Sequence, residues 1–168
     1  MIRRARPDDT AAIVALIGEL AEYERARDEV RASEESLRRA LFGQRPAVFA
    51  HVAEDNGRVV GFALWFLNFS TWLCRPGIYL EDLYVRPEFR GRGHGRALLR
   101  ELARICVAND YGRLEWGVLD WNTPALEFYS SIGAVPMDEW TTHRVTGHAL
   151  TTLAEGRRAG DHSSRRTR

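Results

Sequence analysis

Three groups of residues in this chain have types and spacings that suit them to chemistry. Glu81 and Asp82 stand side by side in the apolar run "GIYLEDLYV", and positioned carboxylates can take up a proton. Burying both without partners is costly, and strict strand alternation sends them to opposite faces. A bulge, frequent beside active sites, changes that geometry, and the plain structural reading is pairing with arginine in the sheet. Tyr129, in "EFYSSIGA", carries a phenol of pKa about 10 that stays protonated at neutral pH and can donate to a developing anion. It shares its segment with an apolar row of Ala125, Phe128 and Ile132, so a core aromatic is the competing reading. The third group is "EFRGRGHGRALL", residues 88–99, where Gly91, Gly93 and Gly95 alternate with Arg90, Arg92, His94 and Arg96.

That third stretch predicts a strand-to-helix turn with the glycines at the amino end of the helix. Backbone N–H groups there lack intrahelical partners and sit at the positive end of the helix dipole, a ready site for phosphate oxygens. The spacing Arg90-x-x-Gly93-x-Gly95 fits neither a P-loop, since no Gly-Lys-Ser/Thr follows, nor the dinucleotide fingerprint, which needs glycine where Arg96 stands. A pyrophosphate-bearing ligand fits it. The alternative is an arginine-glycine surface loop or an RNA-binding patch, but those lie in low-complexity context.

The elements that must position these groups alternate. Residues 2–6 predict a first strand. A helix follows, opened by Pro7 with Asp8 or Asp9 and running to about Arg25, with Ile13, Leu16, Ile17 and Leu20 at helical spacing. Ser33 caps a second helix with Leu37 and Leu41 inward, ended near Gly43. "AVFAHVAE" and "VVGFALWFL" flank the turn Asp55-Asn56-Gly57, and "GIYLEDLYV" is the next strand. The helix after the glycine turn is expected from His94 to about Val107. "RLEWGVL" then reads as a strand, "TPALEFYSSI" as a helix capped by Thr123 with Pro124 first, and "EWTTHRVT" as a late strand.

With 168 residues, the chain predicts one α/β domain over residues 1–154. Residues 155–168, with five arginines against two acids, are expected to be a disordered tail. The net charge of +1 therefore hides a mildly acidic body, which argues against nucleic acid as the main partner. All 24 basic residues are arginine, which reads as a coding bias rather than anion recognition. No apolar run approaches the roughly 20 residues of a membrane span. The start "MIRRARPDD" lacks the apolar stretch of a secretory signal, so a cytoplasmic protein is expected. Cys74 and Cys106 read as reduced core thiols, with no metal-ligand spacing.

The ordered set "YLEDLYV", "RGRGHG", a long helix and "VLDWNTPALEFYSSIGA" resembles the acetyl-CoA-binding core of the GNAT superfamily of N-acetyltransferases. Beyond it, "IGELAEYE", "GFALWFLNFSTW" and "DEWTTHR" resemble the spermidine/spermine (diamine) branch and its thialysine relatives, so the likeness covers roughly residues 2–153. The resemblance implies a GNAT fold, a central mixed and splayed sheet flanked by helices. It implies that Leu83, Tyr84 and Val85 meet the pantetheine arm, chiefly through the N–H groups of Leu83 and Val85. Arg90, Gly91, Arg92, Gly93, His94, Gly95 and Arg96 would wrap the pyrophosphate, and Asn122, Ala125 and Tyr129 would hold the cofactor from the other side.

By the same resemblance, Glu81 acts through water on the amine and Tyr129 is the general acid. Tyr23, Glu24, Asp82, Glu115, Trp116, Asp138 and Glu139 are the candidates for the walls of the acceptor site, suited to a small cation. No metal is implied, and a homodimer is. The loop before the core puts Asn68, Ser70 and Thr71 ahead of Trp72 where polyamine enzymes carry an acid, which leaves lysine-like amino acids beside diamines and polyamines as acceptors. A protein N-acetyltransferase and a non-catalytic acetyl-CoA-binding module are the alternatives. The first would need a peptide groove, and the second would not need Glu81 and Tyr129 together.

Overall fold

In the computed structural model, which describes residues 1–156, Asn56 and Gly57 take φ of 49° and 76°. Two left-handed residues are what a two-residue hairpin turn demands. They join β2 (Phe49–Asp55) to β3 (Arg58–Ser70) in antiparallel register. Strand β1 (Ile2–Arg4) lies antiparallel on the outer side of β2, β4 (Arg75–Val85) antiparallel on β3, and the short β5 (Leu114–Trp116) parallel to β4. The order is β1-β2-β3-β4-β5, a mixed sheet flanked by helices, as expected.

Helix α1 (Thr10–Tyr23) follows a 3-10 turn at Pro7–Asp9, and α2 (Glu34–Phe42) starts at Ser33, whose hydroxyl accepts from the Ser36 N–H at 3.1 Å. Their inward residues Ile13, Leu16, Leu37 and Leu41 form one core with Val52, Phe62, Leu64 and Tyr84 of the sheet. Helix α3 (His94–Ala108) buries Leu98, Leu99, Leu102 and Cys106. It covers the opposite face, where Glu101 and Ile105 share a cavity of about 400 Å³ with Arg4, Phe49, His51 and Trp65. Arg3 locks the first strand to its surroundings. It makes two bonds to Asp9, at 2.6 and 2.9 Å, and one to Glu54 at 2.8 Å.

Residues 1–119 form one compact unit, and a second begins at Asp120. The second holds α4 (Thr123–Ser130), with Asn122 rather than Thr123 at its N-cap, and α5 (Gly147–Ala154). Further expectations are corrected here. "EWTTHRVT" makes no strand: Asp138–Thr146 is exposed and irregular, because β-propensity without a paired neighbour makes no ladder. The helix over "GHALTTLA" has no counterpart in the sequence reading. Cys74 is likewise no core thiol, since it is exposed at the β3–β4 turn with φ of 52°, whereas Cys106 is buried. The expected disordered tail lies, beyond residue 156, outside the described residues. No helix among the described residues is long and apolar enough to cross a membrane.

Candidate active site

The chemistry of β4 turns on one extra residue. Leu64 of β3 faces Asp82, whereas the next residue, Trp65, faces Leu80, so Glu81 is a bulge with no partner across the ladder. Cross-strand partners share a face. Beyond the bulge, Asp82 and Tyr84 therefore lie with Leu64 and Phe62 on the α1–α2 side. Strict alternation would have left them with Leu80 on the α3 side.

The backbone is rephased with the side chains. The Ile78 N–H donates to Arg113 C=O at 3.0 Å, toward β5, while the Arg86 N–H donates to Val60 C=O at 3.0 Å, toward β3. Residues eight apart would point the same way in an unbroken strand, so one inserted residue accounts for the reversal. By alternation from Arg86, the N–H groups of Leu83 and Val85 face away from β3. There β4 is open, because β5 pairs only with Ile78–Leu80 and no other strand among the described residues joins that edge. This is the splay expected of the sheet. Five residues of strand edge, Glu81 to Val85, are left for an extended ligand to pair with.

The bulge also sets the electrostatics. Burial, then the charges of Glu81 and Glu24, push the Asp82 carboxyl from its usual 3.8 up to about 6. Glu24, just past the end of α1, is itself shifted upward by burial. Glu81 is exposed and Asp82 half-buried, and no ion pair among the described residues joins either to an arginine, so the structural reading of the pair as sheet ion pairs gains no support. Carboxyls shifted in this way cluster at functional sites.

At the end of β4 the chain passes through a 3-10 turn, Pro87–Phe89, into the glycine turn. Gly91 and Gly93 have φ of 73° and 82°, and a Cβ built on either meets nothing within 4 Å. The turn therefore needs glycine for its backbone and leaves open room beside it. The first intrahelical bond of α3 runs from the Ala97 N–H to Gly93 C=O at 2.9 Å, so the backbone N–H groups of His94 and Gly95 lie ahead of the helix's own ladder, at the end that suits an anion. Asp55, in the β2–β3 hairpin, steadies the turn from behind, with Arg92 at 3.3 Å and His94 Nε2 at 3.9 Å. Arg90 is engaged elsewhere: its Nε donates to Val85 C=O at 2.9 Å, and its guanidinium lies over the rings of Tyr23 and Tyr84.

The other sequence candidates divide. Tyr23 and Glu24 close α1, as expected. Tyr84 is buried in the α1-side core, its ring under Arg90. Glu115 pairs in register with Tyr79 and so shares the Asp82 face, but its carboxylate accepts from Asn68 Nδ2 at 2.8 Å and lies 2.7 Å from Arg113 Nε. Trp116 pairs with Leu80 and lies on the other face. In the second unit, Asn122 is buried at the start of α4, Ala125 and Tyr129 are half-buried on α4, and Asp138 and Glu139 are exposed. The Tyr129 ring lies 5.4 Å from that of Phe128. Sequence reading missed the Asn68–Glu115–Arg113 cluster and the buried bond from Trp65 Nε1–H to His51 Nδ1, 3.2 Å. Both join residues from different strands, with no local signal.

Comparison with known proteins gives the family and the fold. The chain is 40% identical over 165 residues to the thialysine N-epsilon-acetyltransferase of Bos taurus, covering 92% of this chain and 96% of that protein. It is 32% identical to an L-ornithine N5-acetyltransferase of Arabidopsis thaliana, covering 90% and 86%. Among solved structures, an integron cassette protein from the mobile metagenome of V. cholerae superposes with a TM-score of 0.77 at 30% identity, over 92% of this chain and 97% of that one. The acetyltransferase (GNAT) family model matches residues 14–134, a span that takes in the bulged strand, the glycine turn and α4, and the chain belongs to that family of N-acetyltransferases.

Proposed function

We propose that this enzyme moves the acetyl group of acetyl-CoA to a primary amine of a small cationic acceptor by direct attack in a ternary complex, within one domain spanning residues 1–154. The bulge at Glu81 carries the reading. It turns the Leu83 and Val85 N–H groups to the open edge of β4, where they would meet the pantetheine arm, and it sets Asp82 on the α1 side with Glu24. The backbone N–H groups at the start of α3, with Arg92 and Arg96, would take the pyrophosphate. Asn122 and Ala125 are proposed to hold the cofactor as the family likeness implies.

An alkylammonium has a pKa near 10, so the nitrogen must lose a proton before it attacks. The Glu81–Asp82 pair is proposed as the acceptor of that proton. Asp82 has the affinity suited to neutral pH, and Glu81, exposed on the bulge, acts through water. The nitrogen then attacks the thioester carbonyl, whose developing oxyanion is stabilised by an N–H near Leu83. As the C–S bond breaks, Tyr129 is proposed to give its proton to the thiolate of CoA. No step calls for a metal.

The carboxylates of Glu24, Glu81 and Asp82 suit a cationic acceptor, a diamine or the side-chain ammonium of a lysine-like amino acid. The named activities of the relatives favour the amino acids. On the same likeness the protein is read as a cytoplasmic homodimer. The test is CoA-thiol release from acetyl-CoA with thialysine, lysine, ornithine, putrescine, spermidine, an aminoglycoside and a peptide. Lysine-like amino acids are expected to be turned over fastest. Preference for peptide amino termini over every free amine would reject the substrate class.

A further inference from the structure

Glu19 and Tyr23 are four residues apart on α1, which sets them one turn apart on one face of the helix. Arg86 and Arg90 are also four apart, at the two ends of the Pro87–Phe89 turn. The two pairs meet rung to rung. Arg86 Nε lies 3.0 Å from both carboxylate oxygens of Glu19, and Arg86 Nη2 donates to Oε1 at 2.8 Å. Arg90 places its guanidinium carbon 5.1 Å from the centre of the Tyr23 ring and 5.6 Å from that of Tyr84, while its Nε donates to Val85 C=O.

The first rung is an ion pair between a strand end and a helix, and needs no functional account. The second is different. Arg90 opens the Arg-x-x-Gly-x-Gly turn, yet its charge rests on two aromatic faces, where cation–π attraction holds it, and its Nε–H is given to β4. Tyr23 precedes Glu24, and Glu24 is one of the two charges that Asp82 feels. A single side chain thus joins the edge of the glycine turn, the open end of β4 and the last turn of α1.

We infer that Arg90 is a positioning residue that couples occupation of the glycine turn by the acyl donor to the placement of Tyr23 and Glu24 at the amine end of the site. The inference rests on the acetyltransferase reading for what occupies each end. It departs from the expectation that the Arg90 side chain wraps pyrophosphate. A bound anion fixes the backbone of the turn, and Arg90 conveys that fixity to α1 through the Tyr23 ring. The acceptor then meets a preformed wall only after the donor has bound.

The test uses Arg90→Met, which keeps the stem and removes the charge and the Nε donor, together with Arg90→Lys and Tyr23→Ala in the full chain. Calorimetry with CoA should give a Kd within about threefold of the parent for Arg90→Met, while KM for the best amine rises about tenfold with little change in kcat. Tyr23→Ala should raise the amine KM similarly, and adding Arg90→Met to it should raise it no further. Arg90→Lys, which keeps the cation over the rings, should fall between parent and Arg90→Met, and it carries the test should Arg90→Met not fold.

Hydrogen exchange supplies a readout independent of turnover. CoA should slow exchange of the amides of residues 20–26 in the parent and leave them unprotected in Arg90→Met. A CoA Kd weakened tenfold or more with an unchanged amine KM would make Arg90 a phosphate cation and overturn the inference. Equal CoA protection of residues 20–26 in parent and Arg90→Met would overturn it as well. Absence of CoA binding to the parent would overturn the acetyltransferase reading and the coupling with it, whereas binding without coupling overturns the coupling alone.

Discussion

Replacing Asp82 by asparagine should make this protein more stable at pH 8 and less active, and the size of the first effect follows from the site. A carboxyl whose folded pKa stands at about 6 against an ordinary 3.8 binds its proton more tightly folded than unfolded. Between those values the folded state holds the proton and the unfolded state has lost it, so stability falls as pH rises from about 4 to about 6, then levels. At about 1.4 kcal/mol per pH unit, ionised Asp82 costs the fold about 3 kcal/mol above pH 6. Asparagine keeps the shape and carries no charge. That full cost is the ceiling of its gain, about 6 to 12 °C in Tm for a chain of this length. Thermal unfolding of both proteins at pH 4, 5, 6, 7 and 8 tests this. The two should converge at pH 4, separate steadily to about pH 6 and keep that gap to pH 8, with Asp82→Asn the more stable. Under acetyl-CoA saturation, the variant should also lose the rise of kcat/KM with pH near 6. Equal Tm at pH 8, or a difference independent of pH, would refute the argument that burial beside Glu24 and Glu81 sets the charge of Asp82.

Burial holds His51 neutral, lowering its pKa, so the unfolded chain takes up a proton below about pH 6.5 that the folded one refuses. Stability should therefore drop as pH falls below that value, and His51→Gln should flatten the slope in denaturant titrations at pH 5 to 7. Asp9 is shifted the other way, held down first by its bond to Arg3. Its contribution is present above about 3.8 and lost as pH falls further, and Asp9→Asn should cost about 1.5 to 3 kcal/mol at pH 7 by weakening its bonds to Arg3, which keeps Glu54, read from the urea midpoint. Tyr129→Phe keeps the ring and should leave CoA affinity unchanged while kcat falls about 10²- to 10⁴-fold. Loss of less than about threefold, with chemistry limiting turnover, would return Tyr129 to the core.

What the sequence determined by itself was local. Asn56-Gly57 carries its own turn geometry, Ser33 its own cap, and three alternating glycines before an amphipathic run mark a helix start with free N–H groups. Each depends on residues within one turn of each other, and the order of strands and helices through β4 follows from the same short periodicities. Tertiary structure decided the rest. "GIYLEDLYV" is compatible with either phase of alternation after Leu80. Only the count of β3 residues set against it, Leu64 on Asp82 and Trp65 on Leu80, inserts the bulge that turns Asp82 toward α1 and the Leu83 and Val85 N–H groups outward. Arg90 reads in the sequence as part of the pyrophosphate turn, and nothing near it announces that its guanidinium lies over Tyr23, sixty-seven positions earlier. "EWTTHRVT" has strand composition, yet a strand is a property of two neighbours. Side-chain types are written residue by residue, but the face and the partner each one meets are fixed by register, and register belongs to the pair of strands that share it.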